Sequence, residues 1–252
     1  METLYNASFL VFTTTPLTYS ALESYNCHTY FSSLKLQAAP YLNAPNVPRY
    51  TSPSGSWTAT AVPSSENAGF ELFVHNIDLS GHKFAIVASS PAEPGARLVI
   101  LSRASKQMRE VFTTWLEMYF DINVRPASLS SDFILIFIDA YVSQCYTERE
   151  VSAVELEYST GIAECRRITL AFEATDTMLL VQAGEQLSHS LERHIENVSG
   201  IRLAKLAVNR AVCAGGILSS EGRVKFISGP ADGWREAFVS EWIEKLVSYV
   251  LR

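Results

Sequence analysis

The spacing of apolar and polar residues along the chain predicts grouped β-strands and separate helices. Strands are predicted where apolar side chains alternate with polar ones or gather in short β-branched and aromatic runs. Those runs lie at 4–12, 70–77, 83–88, 97–101, 133–138, 154–158, 168–172, 201–213 and 223–227. The run at 133–138 carries no alternation, so we expect it to be a buried central strand.

Helices are predicted where apolar residues recur every three or four positions. Residues 104–120 show the clearest helical stripe, and residues 21–36 show a weak one. A further stripe at 187–198 ends at Gly200, which suits a left-handed helix cap. The last predicted helix begins after Asp232, a residue that can cap its amino end.

Together these elements predict an α+β fold with two small antiparallel sheet units, each covered by helices. The chain turns polar near residues 142–150, so we place a domain boundary there. The predicted domains are an amino-terminal one at 1–145 and a partner-binding one at 146–252. Within the first domain, residues 38–69 are rich in Pro and Ser, which predicts a long surface loop.

Composition excludes several classes of protein. With 252 residues, 48% hydrophobic and 18% charged, the chain is typical of a folded globular protein. The longest apolar run has six residues, far fewer than the roughly 20 that cross a bilayer. The amino terminus has no basic signal-peptide region, so we expect a soluble intracellular protein with reduced thiols and no membrane association.

Charge is unevenly distributed along the chain. The net charge of −6 excludes overall basic character as a source of nucleic-acid affinity. Two segments, 97–109 and 193–227, each carry a local charge of +4 and could form a basic groove. The alternative is an ordinary charged sheet edge. The candidate DNA-binding residues are Arg97, Arg103, Lys106, Arg109, Arg202, Lys205, Arg210, Arg223 and Lys225.

No catalytic, cofactor or metal motif is found in the sequence. Phosphate-binding loops, nucleophile elbows and zinc-protease motifs are absent, and the four cysteines lack zinc-ligand spacing. We therefore expect no enzyme activity, no cofactor and no metal. The rival hypothesis is an intracellular enzyme with a dispersed site, whose candidates are Cys213, His75 and the pair Glu155 and Glu157. Because the sequence shows no basic or apolar setting that would separate their pKa values, we interpret the glutamate pair as part of a solvated sheet face.

Several local strings resemble the centromere protein L family. The best are FELFVHNIDL at 70–79, VFTTWLEMYFD at 111–121, the continuation at 125–134, and IENVSGIRL at 195–203. These are hydrophobic patterns with one Trp-Leu landmark, at Trp115 and Leu116, and they carry no catalytic signature.

The resemblance implies a non-enzymatic scaffold subunit of the inner kinetochore, the constitutive centromere-associated network. Such a protein acts at the centromere in the nucleus, in chromosome segregation and cell division. The family implies a heterodimer with centromere protein N through the carboxy-terminal sheet, contacts with other inner kinetochore subunits, and a part in holding centromeric nucleosome DNA. Because the net charge is −6, DNA binding would be shared with the partner. A vesicle-trafficking adaptor with a similar module is a further alternative.

The partner surface is expected on the strands predicted at 201–213 and 223–227. The stretch 204–217 contains few charged residues. A monomeric protein usually places charged side chains on an exposed strand edge, which prevents pairing with another chain. We therefore expect a partner sheet to cover an edge or face there, and a homodimer through the same surface is the weaker alternative. The candidate partner-binding residues are Leu203, Leu206, Val208, Val212 and Ile217.

Overall fold

The computed structural model describes residues 7–16, 24–42, 55–62, 72–88, 97–148, 150, 152–181, 185–227 and 234–251. The helices are α1 (Ser24–Leu42), α2 (Lys106–Phe120), α3 (Ser131–Glu148), α4 (Ala174–Leu180), α5 (Leu187–Ser199) and α6 (Trp234–Leu251). The strands are β1 (Ser8–Thr14), β2 (Gly55–Val62), β3 (Leu72–Leu79), β4 (His82–Ala88), β5 (Leu98–Arg103), β6 (Val124–Pro126), β7 (Val154–Ser159), β8 (Arg167–Phe172), β9 (Ala207–Cys213), β10 (Gly216–Ser219) and β11 (Arg223–Phe226). The predicted α+β class is confirmed.

Contacts divide the chain into two compact units that are discontinuous in sequence. The first unit comprises Phe9–Ala127 and Ile243–Arg252, and the second comprises Met1–Ser8 and Ser128–Trp242. The boundary expected between residues 145 and 146 falls inside α3. Residues 143–148 form the end of this helix, where Cys145 is buried and most of the other side chains are exposed, so their polarity does not mark a linker.

In the first unit, antiparallel strands pair in the order β2-β3-β4-β5-β1, and β6 also pairs with β1. Helices α1 and α2 pack on one face of these strands and share a single apolar core with them. At its centre the Phe112 ring of α2 stacks on Phe84 of β4, with centroids 3.9 Å apart. Helix α2 begins after Ser105, whose side chain accepts a hydrogen bond from Met108 N at 3.3 Å.

In the second unit, antiparallel strands pair in the order β11-β10-β9-β7-β8. Their buried face packs under α3, where Phe137 contacts Phe226 of β11 and, edge to face, Trp242 of α6. Helix α5 is held to α3 by a carboxylate: Asp139 accepts hydrogen bonds from the Ser188 N–H at 2.8 Å and its hydroxyl at 2.6 Å. Gly200 ends α5 with a left-handed conformation, as predicted.

The run at 133–138, predicted as a strand, is the first half of helix α3. A short apolar run is compatible with either structure, because a helix buried on most sides shows no polar stripe. The decisive signals are local ones at its start. The Ser130 hydroxyl accepts from Phe133 N at 3.2 Å, and Asp132 lies in the first turn.

The predicted loop at 38–69 is also corrected. Residues 38–42 continue α1, where Ala38 is fully buried, and β2 pairs along its whole length with β3. Pro40 lies inside α1, in its last turn, where it removes one backbone hydrogen-bond donor shortly before the helix ends. The remaining residues of this stretch lie outside the described part of the chain, as does the predicted cap Asp232.

The strand expected over 201–213 begins later than predicted. Residues Leu203–Lys205 form a 3-10 turn, and β9 starts at Ala207. Strand β10 and helix α4 were not predicted, because each is short. In β10, Gly216 is required by a close approach: a Cβ there would lie 2.5 Å from the Lys225 carbonyl oxygen. Among the described helices, none is long and apolar enough to cross a membrane.

The stacked core of the first unit generates a stability prediction. We expect Phe112→Ala to lower the free energy of unfolding by about 3–5 kcal/mol, because it removes a fully buried aromatic ring. The matched control on the same helix is Met118→Ala, since that side chain is 68% exposed and its loss should cost within about 0.5 kcal/mol. Urea unfolding of the full chain, followed by circular dichroism, measures both. Equal losses in the two variants would contradict this packing.

Candidate nucleic-acid interface

The second unit has one buried and one open sheet face, because side chains alternate along each strand. On β7, Leu156 and Tyr158 are buried, whereas Glu155 and Glu157 between them are partly exposed. On β11, Val224 and Phe226 point to the core, whereas Arg223 and Lys225 lie on the open side. The open face therefore carries most of the charge of these strands.

Strand register arranges the open face in two rows that cross the strands. The first row, which we call the apolar row after the two residues at its centre, Ile217 and Val212, begins at Lys225 on β11. It continues through Glu155 to Ala171. The arginine row runs through Ser219, Arg210, Glu157 and Thr169, with Arg223 at its β11 end. The rows lie two residues apart along each strand, or about 7 Å.

An open cleft of about 480 Å³ lies on this face. Its charged lining consists of Arg167, Arg210, Arg223 and Lys225 with the acids Glu157 and Glu221. The cleft is therefore net basic on a chain whose total charge is −6. Polar side chains, among them Asn209 and Ser220, supply further hydrogen-bonding groups.

Two of the four basic residues of the cleft are neutralised by carboxylates of β7. The Arg210 guanidinium lies 3.8 Å from a Glu155 oxygen, and the Arg167 guanidinium lies 3.4 Å from a Glu157 oxygen. The two glutamates thus form the predicted solvated face, but each is held in an ion pair. This arrangement does not resemble an acid and base pair, since each carboxylate has a cationic partner.

Arg223 and Lys225 differ from the other two cations. Within the described residues neither forms an ion pair. Their side chains lie on β11, where the neighbouring residues of β10 are Ser219 and Ile217. The acid of the cleft lining that is nearest in sequence is Glu221, in the turn before β11. These two residues therefore carry the charge that remains available to a bound anion.

The other basic residues predicted in the second segment do not line this cleft. Arg202 forms an ion pair with Glu196 at 3.0 Å, beside the end of α5. Lys205 is exposed on the 3-10 turn. Of the five candidates in this segment, the structure brings together Arg210, Arg223 and Lys225.

The basic segment 97–109 is spread along a strand and a helix start. Arg97 immediately precedes β5 and Arg103 is its last residue, so the two lie about 20 Å apart. Arg103 is paired in register with Lys83 of β4, a cation that the sequence analysis did not include. Lys106 lies 3.9 Å from Glu110, and Arg109 donates to the Ala104 carbonyl at 2.6 Å. Arg103, Lys83 and Lys106 are the exposed cations at this end of the strand.

The candidate partner-binding residues separate into two groups. Leu203 and Val208 are 3% and 1% exposed, so they support the sheet from its buried side and cannot contact a partner directly. Leu206, Val212 and Ile217 are partly exposed, and the last two belong to the apolar row. Strand β9 is paired on both sides and offers no edge; in this unit the strand order ends at β8. The possibility that remains for these strands is contact through their open face.

The candidates for an enzyme site lie in unfavourable surroundings. Burial raises the pKa of the Cys213 thiol to about 12, so this side chain is not a thiolate near neutral pH. His75 is buried in the first unit, and burial lowers its pKa. Across the part of the chain that the structure describes, no group of three or more metal-ligating side chains is found.

Arg167 is a cleft residue that the sequence analysis missed. The alternation of Ile168, Leu170 and Phe172 contained the signal, because it places Arg167 on the opposite face of β8. What the alternation cannot give is the pairing of β8 with β7, and that pairing sets Arg167 beside Glu157.

A family model described as centromere protein L matches residues 98–252, more than half of the chain. The matched region includes every residue of the cleft except Ser8. No curated protein sequence matches the chain.

The burial of the cysteines generates a prediction about thiol reactivity. In a Cys27→Ser background, we expect one thiol to react rapidly with a disulfide reagent at pH 8, because Cys165 is exposed while Cys145 and Cys213 are buried. Burial raises the pKa of both buried thiols, so they should react only after unfolding. The control Cys165→Ser should remove the rapid phase. Rapid labelling of Cys213 in the folded chain would instead support the enzyme hypothesis.

Proposed function

Because the chain belongs to the centromere protein L family, we propose that it is a non-enzymatic scaffold subunit that pairs with centromere protein N and contributes phosphate contacts to centromeric nucleosome DNA. Family membership itself supports a kinetochore-related role in chromosome segregation. It also supports a location at the centromere, and therefore in the nucleus, and inner kinetochore subunits in general as partners. Pairing with centromere protein N and contact with DNA are the steps that we propose.

The observation that carries the DNA proposal is the pair Arg223 and Lys225 in the basic cleft. Both lie on the same face of β11, two residues apart, and neither is neutralised by an acid among the described residues. Cations in such a position can bind phosphates without reading the base sequence. A kinetochore subunit that holds nucleosomal DNA of any sequence requires contacts of this kind.

The acidic character of the chain sets a limit on this binding. With two available cations in the cleft and a net charge of −6, the protein alone would bind duplex DNA weakly. We therefore propose that a partner supplies further phosphate contacts and that this chain forms one wall of a shared groove.

The apolar row provides the partner surface in this proposal. Val212 and Ile217 are neighbours in register at its centre, and both are partly exposed. A partner seated on Val212 and Ile217, at the centre of this row, would leave Lys225 at its β11 end uncovered. Lys225 and the adjacent arginine row, with Arg210 and Arg223, would then form the wall of the groove. DNA and partner would then use neighbouring strips of one face, about 7 Å apart.

The DNA proposal predicts the effect of reversing the two available charges. We expect Arg223→Glu with Lys225→Glu to weaken binding of a 20-base-pair duplex by the assembled complex. The slope of log affinity against log salt should fall by about 0.9 for each lost phosphate contact. Fluorescence anisotropy over a salt series measures both quantities. The control, Arg125→Glu with Arg193→Glu, makes the same change in net charge at exposed sites outside the cleft. Equal effects of the two double variants would refute the cleft as the DNA surface.

The basic end of β5 is tested in the same assay. Arg103→Glu with Lys106→Glu should also weaken binding if this end contacts DNA, because both side chains are exposed. The expected decrease in salt slope is again about 0.9 for each contact. An unchanged affinity removes Arg103 and Lys106 from the DNA surface and leaves the cleft as its only proposed site.

The partner proposal predicts the effect of charges in the apolar row. We expect Val212→Asp with Ile217→Asp to weaken association with centromere protein N about 30-fold or more, since an interface hot spot contributes about 2 kcal/mol or more. Thr169→Asp, an exposed residue at the end of the arginine row, is the control. Analytical ultracentrifugation measures complex formation and shows whether the chain alone is a monomer or a homodimer. A wild-type chain that never binds centromere protein N would disprove the pairing.

A further inference from the structure

Glu157 occupies an unusual position for a residue of a basic cleft. It lies in the arginine row directly opposite Arg210 on one side and Thr169 on the other. Its carboxylate also lies 3.4 Å from the Arg167 guanidinium. One acid therefore stands between two of the four cations of the cleft.

The two partners of this ion pair differ in their exposure. The Glu157 side chain is 14% exposed, whereas the Arg167 side chain is 69% exposed. The carboxylate is fixed near the floor of the sheet face, and the guanidinium extends above it into solvent. A phosphate that approached Arg167 would therefore also approach a carboxylate that cannot move away.

The net charge along the face consequently falls from positive at β11 to nearly zero at β7. At the β11 end, Arg223 and Lys225 have no carboxylate partner among the described residues. At the β7 end, Glu155 and Glu157 offset Arg210 and Arg167. Within a Debye length of about 8–10 Å, a phosphate is attracted at the first end and meets nearly balanced charge at the second.

We propose that Glu157 is a specificity-determining residue that confines bound phosphates to the β10–β11 side of the cleft. It does so because its ion pair with Arg167 keeps that guanidinium from binding phosphate. The inference rests on the proposed DNA-binding function and adds the path of the polyanion. The DNA backbone runs along Arg223 and Lys225 and does not cross the sheet to β8. Arg167, although it is one of the most exposed cations of the cleft, contributes little to binding while Glu157 is charged.

The test is a double-mutant cycle on Glu157 and Arg167 in the full chain, alone and with centromere protein N. Glu157→Gln keeps the size of the side chain and removes its charge. We expect it to tighten binding of a 20-base-pair duplex up to about fivefold, the equivalent of an exposed ion pair worth up to about 1 kcal/mol. The salt slope should steepen by about 0.9 as one phosphate contact is gained.

Arg167→Ala provides the second side of the cycle. In the wild-type background it should change the affinity less than twofold, and in the Glu157→Gln background it should abolish the gain. A general change of net charge would not produce this dependence on background. The matched control is Glu185→Gln, which breaks an equivalent ion pair with Arg193 outside the cleft and should leave DNA binding unchanged.

The outcomes separate this inference from the function on which it rests. If Glu157→Gln leaves affinity and slope unchanged while the Arg223 and Lys225 reversals weaken binding, the role of Glu157 is overturned and the DNA surface stands. If neither change affects binding, both are overturned. Should Glu157→Gln lower the thermal unfolding midpoint, Glu157→Thr replaces it, because threonine suits a strand and already stands opposite this position at Thr169.

Discussion

The packing of Phe137 against the second unit's strands is the contact on which the proposed interface depends. Its ring meets Trp242 edge to face at 5.0 Å and also contacts Phe226 of β11. A Cβ on Gly216 would lie 3.5 Å from the same ring and 2.5 Å from the Lys225 carbonyl oxygen, so this strand position accepts little besides glycine. Because Phe137 fixes which face of β10 and β11 is buried, it also fixes that Arg223 and Lys225 face outward.

In the proposed function, the ion pairs on the open face make its binding of anions selective. A sheet face with four unpaired cations would bind any polyanion, whereas Glu155 and Glu157 leave two cations available. Exposed ion pairs of this kind contribute little to stability, typically less than about 1 kcal/mol. Their larger effect is on the electrostatic field, since they decide where on the face a phosphate is attracted. This distribution suits a subunit that shares DNA with partners.

Local sequence patterns predicted the elements whose signal is contained within a few turns of chain. The helical stripe predicted at 104–120 corresponds to α2, and the alternation predicted at 154–158 corresponds to β7. Gly200 ends α5 in the left-handed conformation, as its position in the sequence indicated. The run at 133–138 was misassigned because its six apolar residues fit a buried strand as well as a buried helix. Strand β2 was missed because Pro and Ser on both sides outweighed the short alternation at 55–62.

The sequence by itself determined the fold class, the resemblance to the centromere protein L family and the placement of Arg223 and Lys225 on one strand face. These follow from composition, periodicity and local strings, which need no knowledge of neighbours in space. Only the tertiary structure decided that Arg167 joins the cleft, that Leu203 and Val208 are buried, and that Glu157 lies beside Arg167. Each of these depends on which strands pair and in what register, and pairing joins residues that are distant in sequence.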